Sequence, residues 1–78
     1  MTGYSEDNPF KKERDVLGKT IKHLRENKKL TQEDLAYKAH INVSYLAKIE
    51  TGYVNTTIRY LVKIARGLGV KVRDLFEF

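Results

Sequence analysis

A chain of 78 residues holds one domain with a small core, too little to enclose a large active-site cleft. It has no cysteine, which removes disulfides and thiolate metal sites and leaves packing alone to hold the fold. Fifteen Lys and Arg against ten Asp and Glu give +5, a balance that suits a polyanionic partner and many ordinary soluble domains alike. No apolar run approaches the roughly 20 residues that cross a bilayer, and the polar N-terminus lacks a signal-peptide core, so a soluble cytoplasmic protein is expected.

Along the chain, Met1 to Asp7 is polar and without an apolar period. Residues 1–12 are read as a mobile leader whose end can extend the first helix, and residues 13–78 as the domain. Asn8-Pro9 is a helix-start signal, since Asn caps free N–H groups and Pro tolerates the first helical position. Phe10, Leu17, Ile21 and Leu24 recur at helical spacing to about Lys28, although Phe10 reads equally as an exposed aromatic at a frayed end. Gly18 weakens the middle of that helix by ~1 kcal/mol relative to Ala. Thr31 and Asp34 form a reciprocal capping pair for a second helix of two turns, with Leu35, Ala36 and Ala39 inside. Asn42 caps a third helix, in which Leu46 and Ile49 face one way and Ser44, Lys48 and Thr51 the other, and Gly52 stops it in a left-handed conformation. Thr56 or Thr57 opens a fourth, with Ile58, Leu61, Val62, Ala65 and Leu68 on its apolar face. Val72, Leu75 and Phe76 suggest a short fifth. Nothing alternates with the period of a strand, so the expected fold is an all-α, compact five-helix bundle. The surplus of positive charge lies on residues 16–78, while residues 1–15 are net negative, which disfavours DNA contact through a basic tail.

Two helices of two turns each are marginal alone, and a turn of three or four residues makes them cross steeply, so one protrudes from the body. A helix about 10 Å across fits the major groove of B-DNA. The outer face of the third helix carries Asn42, Val43, Ser44 and Ala47 with one long cation, Lys48, whereas a merely solvated face would carry more charge. LTQEDLA, an apolar Ile41 in the turn, SYLAKIETG and then IRYLVKIARGLGVKVRDLF, together spanning about Leu17 to Phe76, resemble the phage-repressor-like (Xre/Cro type) helix-turn-helix DNA-binding domains. Within that family the chain looks most like restriction–modification controller proteins and repressors of mobile elements.

The resemblance implies a lambda-repressor-like fold and a sequence-specific regulator that binds duplex DNA and associates with the nucleoid. By it, Thr31 and Gln32 sit at the start of the second helix, with Gln32 on a phosphate and bracing a side chain of the recognition helix. It implies that Asn42, Val43, Ser44, Ala47 and Lys48 face the groove. Asn has the groups to pair with adenine N6 and N7, Lys to reach guanine O6 and N7, and Val or Ala to meet a thymine methyl. Thr51, Tyr53 and Asn55 look like phosphate-positioning donors, and Tyr45 lies between a packing role and a phosphate contact. The family pattern sets Arg25 opposite Glu50, an ion pair tying the first helix to the base of the third. His40 stands where the family commonly has glycine, in a left-handed turn position that His tolerates better than most.

No catalytic, metal or cofactor set is expected, because His23 and His40 have no Cys or paired acid at ligand spacing. The rival reading is a protein-interaction module of the same fold, such as an antitoxin or coactivator, which would call for an extension longer than residues 1–15. Leu68, Val70, Val72, Phe76 and Phe78 are the expected two-fold interface of a homodimer on a palindromic operator, the recognition helices being about 34 Å apart. The other reading of these residues is that they finish the core.

Overall fold

A stripe of Leu17, Ile21 and Leu24 gives α1 (Lys11–Asn27) one face to bury, Ile21 completely and its neighbours in part. The computed structural model describes residues 10–77. The Asn8-Pro9 start signal, most of the expected leader and Phe78 fall outside them. Phe10 precedes the helix with φ of 60° and no side-chain cap, and at 72% exposure it does not extend the stripe. Gly18 is where α1 crosses the end of another helix: a Cβ there would lie 2.5 Å from the Glu50 carbonyl oxygen and closer still to that of Ile49. The residue that costs helix propensity is therefore what lets two backbones touch.

The next elements are α2 (Gln32–Ala39), α3 (Val43–Glu50) and α4 (Ile58–Leu68), followed by a 3-10 helix at Val72–Phe76. Every regular element among the described residues is thus helical, with four α-helices in place of five. The closing turn tightens to 3-10 geometry because five residues allow little more than one turn, stapled by the Asp74 carboxylate accepting from the Lys71 N–H at 2.9 Å. α4 packs on α2, α1 on α3, and the 3-10 helix on both α1 and α4. Ile21, Leu35, Leu46, Ile64, Leu68 and Leu75 fill the centre.

Three sequence expectations change. Ile58 is 68% exposed, so the inner face of α4 runs through Leu61, Ile64, Ala65 and Leu68, and Ile64, absent from the expected face, is fully buried. Leu68, expected at a subunit interface, is 2% exposed and belongs to the chain's own core, and Val70 and Val72 pack partly against that core. Of that expected patch only Phe76 is well exposed among the described residues.

All four α-helices close in the same way. One or two residues past each end the chain takes a left-handed conformation, at Lys29, His40, Gly52 and Gly69, with φ between 58° and 76°. The following N–H, of Leu30, Ile41, Tyr53 or Val70, donates back to the carbonyl five residues earlier at 2.9–3.1 Å. This is the Schellman closure, which satisfies carbonyls that a helix end leaves open.

Candidate nucleic-acid interface

The sequence sets the two short helices at their angle through their ends. The Thr31 hydroxyl accepts from the Asp34 N–H at 3.0 Å, and the Asp34 carboxylate accepts from the Thr31 N–H at 2.9 Å. Those bonds, the backbone one first, hold the Asp34 carboxyl below the usual carboxylate range. His40 then reverses the chain with φ 58° and ψ 46°, and Ile41 turns inward against the core. Asn42 restarts the helix by accepting from the Ser44 and Tyr45 N–H groups at 2.8 and 3.2 Å.

The foot of α3 is locked by a buried polar network. Arg25 Nε and Nη2 donate to the two carboxylate oxygens of Glu50 at 2.8 and 3.0 Å, and Arg25 Nη1 donates to the Leu30 carbonyl at 2.8 Å. Side-chain exposure is 9% for Arg25 and 1% for Glu50, so the pair is desolvated and fork-shaped, the geometry that makes such pairs strong. The bond to Glu50 raises the Arg25 pKa further above its ordinary value. Gln32 Nε2 donates to the same Glu50 at 2.9 Å. Glu50 accepts only, which fixes the end of the Gln32 amide that faces it and leaves a second amide hydrogen for another acceptor. Glu50 thus joins α1 to the first residue of α2, and Arg25 adds the loop between them. From the other side, Arg14 Nε donates to the Gly52 carbonyl at 2.9 Å.

The outer face of α3 is built differently. Asn42, Ser44 and Lys48 are exposed, and Val43, Tyr45 and Ala47 are half-buried. Asn42 has committed its carbonyl oxygen to two backbone donors, so pairing with both adenine N6 and N7 would cost the cap; its amide hydrogens remain for an acceptor. Tyr45 packs its ring on Tyr60, centroids 4.6 Å apart. The Thr51 hydroxyl donates to the Lys48 carbonyl at 3.2 Å. Tyr53 is exposed, with Lys48 Nζ 5.9 Å from its ring centre. Asn55 is exposed and lies apart from this face, on a groove shared with Phe10 and Ile58.

Sequence reasoning passed over Tyr60, Lys63 and Arg14. Lys63 Nζ reaches the His40 carbonyl at 3.4 Å and lies 5.8 Å from the Tyr60 ring centre, so α4 supports both the turn and Tyr45. Tyr60 and Lys63 each sit one step before a buried apolar residue, and Arg14 falls on the stripe of Phe10 and Leu17, where its charge interrupts the apolar pattern. Among the described residues no helix is long and apolar enough to cross a membrane.

Comparison with known proteins agrees with this geometry. A family model described as helix-turn-helix matches residues 21–75. The immunity repressor protein of Bacillus phage phi105 is 43% identical over 57 residues, 73% of this chain but 40% of the repressor, so the chain spans less than half of that relative. The crystal structure of the restriction–modification controller protein C.AhdI from Aeromonas hydrophila superposes with a TM-score of 0.82 at 31% identity, covering 83% of this chain and 98% of the controller. The controller C.Esp1396I, solved as a tetramer in complex with its natural 35 base-pair operator, superposes with a TM-score of 0.76 at 39% identity, covering 82% of this chain and 84% of the controller chain. With its two short helices crossed about a left-handed His40, and most of its length matched, this chain belongs to the helix-turn-helix family.

Proposed function

We propose that this protein is a sequence-specific DNA-binding transcriptional regulator that reads the major groove with the outer face of α3. The observation that carries this reading is the contrast within α3: its foot is locked by Arg25, Glu50 and Gln32, while its outer face presents small side chains and one cation. A locked foot holds that face at a fixed angle before DNA arrives, which lowers the ordering cost of binding. Lys48 reads a guanine edge, Val43 and Ala47 meet thymine methyls, and Ser44 and the Asn42 amide donate to bases or sugar-phosphate. Thr31 and the second Gln32 amide hydrogen serve as phosphate-side donors, while the Thr51 hydroxyl is spent on the Lys48 carbonyl and Asn55 lies on the groove away from this face, and Lys19, Lys22, Lys28, Lys29 and Lys38 supply neutralising charge. Tyr45 acts chiefly by packing on Tyr60. Selection of bound sequences from a random duplex library should yield a defined site, with log K falling steeply and linearly with log salt. A flat salt response, or no enriched sequence, would sink the reading. Gln32→Ala should weaken all duplexes alike.

The same reading calls for two copies, because one recognition helix covers too few base pairs to single out a site in a genome. Five large apolar side chains are exposed among the described residues, and three of them, Phe10, Ile58 and Phe76, ring one groove of about 450 Å³ floored by Leu17, Ile49 and Leu61. Knobs and hole on one patch are what a two-fold contact requires. The homodimer interface is therefore this groove, in place of Leu68, Val70 and Val72. Inserting five base pairs between half-sites of a palindromic operator should abolish tight binding. Unchanged affinity, or a monomer by sedimentation at high micromolar concentration, argues against the dimer.

A further inference from the structure

The closure of α3 departs from that of the other three helices, and the departure lies beside the one cation of the outer face. After the left-handed residue, Leu30, Ile41 and Val70 each turn back onto the core. The equivalent residue of α3 is Tyr53, which is 73% exposed. Its N–H donates to the Lys48 carbonyl at 2.9 Å, and this bond carries the ring back along α3 until Lys48 Nζ lies 5.9 Å from its centre. In this closure the two residues so joined ordinarily make an apolar contact. Here an aromatic face meets an ammonium, an attraction that persists in water. A lysine on an open helix face otherwise spreads over many rotamers. An ammonium has three donors, so one turned to the ring leaves two for the O6 and N7 acceptors of guanine.

We propose that Tyr53 is a positioning residue for Lys48: its ring holds the ammonium at the C-terminal end of the outer face of α3 and so selects the base pair that Lys48 reads. This rests on the DNA-binding reading above, and it gives Tyr53 a role through its ring, distinct from a phosphate contact through its hydroxyl.

The test uses the full chain with Tyr53→Phe and Tyr53→Leu, the latter retaining an apolar contact at the helix closure so that the fold survives. Two quantities are read. The first is the ring-current shift of the Lys48 ε-methylene protons without DNA. The second is the affinity ratio between the selected duplex and one altered at the base pair whose preference Lys48→Ala removes. The ring should shift those protons upfield in the wild type and in Tyr53→Phe, and not in Tyr53→Leu. The ratio should hold in Tyr53→Phe and fall about two- to five-fold in Tyr53→Leu, with ratios at other positions unchanged. In a Lys48→Ala background Tyr53→Leu should do nothing further. Wild-type ε-methylene protons at the shift of a solvated lysine, a ratio untouched by Tyr53→Leu, no base preference removed by Lys48→Ala, or a uniform loss on every duplex in Tyr53→Phe would each overturn the proposal. Failure of the wild type to discriminate any sequence would overturn the DNA-binding reading as well, whereas the other outcomes leave it standing.

Discussion

α2 and α3 are matched in size and construction, yet they are specialised for opposite tasks. Each has eight residues, a polar N-cap, and a Schellman closure on a left-handed residue. Exposed α2 residues carry Glu33, Asp34 and Lys38, an ordinary solvated set, and its buried Leu35, Ala36 and Ala39 serve the core. Exposed α3 residues carry one charge, Lys48, while the helix commits its other charge, Glu50, to the interior. A short helix gains little stability from its own hydrogen bonds, so where its charges go records what surrounds it. α2 is built to be held against the body, and α3 to be held at its foot and left open along its length.

The first way to break this comparison is to release the foot. Glu50→Ala or Arg25→Ala should each cost about 3–5 kcal/mol, because either leaves a buried charge unpaired, and the double variant should lose less than the sum. Chemical denaturation of the four proteins checks it, and strictly additive losses would mean the two groups act independently. Removing the cap of α2 by Thr31→Ala should cost far less.

The left-handed closures sharpen the comparison next, with opposite signs. A Cβ at Gly52 would collide with the Asp15 side chain and lie 3.0 Å from the Asp15 backbone nitrogen, so Gly52→Ala should lose more than about 1 kcal/mol through strain and displacement. His40→Gly should be neutral or gain up to ~1 kcal/mol by relief of its left-handed backbone. Thermal unfolding of both variants decides. A clear loss at His40→Gly would give the imidazole a role of its own.

The smallest effect concerns acid. Asp34 has its pKa lowered on folding, so its contribution is present above the unfolded value near ~4 and is lost as pH falls through the lowered folded value. The cap of α3 is an amide, Asn42, and does not titrate. Amide exchange followed from roughly pH 5 downward should therefore show the start of α2 loosening before the start of α3, and Asp34→Asn should remove that order. Simultaneous loosening would mean that the capping carboxylate contributes nothing separable.

The helix boundaries were legible because they rest on local chemistry. Thr31 with Asp34, Asn42, Thr57 and Gly52 act within a few residues of themselves, and each does so as its residue type suggests. Which faces meet was less legible. Ile58 and Ile64 are the same residue six positions apart on opposite flanks of one apolar face, one 68% exposed and the other fully buried, and which flank is covered depends on what packs against α4. The Arg25 and Glu50 pairing came from family resemblance, since nothing local joins residues 25 apart. Asn42 shows the limit of reading a residue by what it is able to bind: its oxygen suits adenine and a helix cap equally, and in the folded chain the cap has it. Gly18 was legible only as a cost, because its benefit depends on the approach of α3.

In the proposed function the outer face of α3, and not that of α2, meets DNA. Backbone amide shifts of the labelled protein, recorded during titration with a selected duplex, test it most directly. The largest changes are expected at Ser44, Ala47 and Lys48, smaller ones at Thr31 and Gln32, and little at Tyr37, which is 84% exposed on α2. Changes centred on Tyr37 and Lys38, with α3 silent, would contradict it.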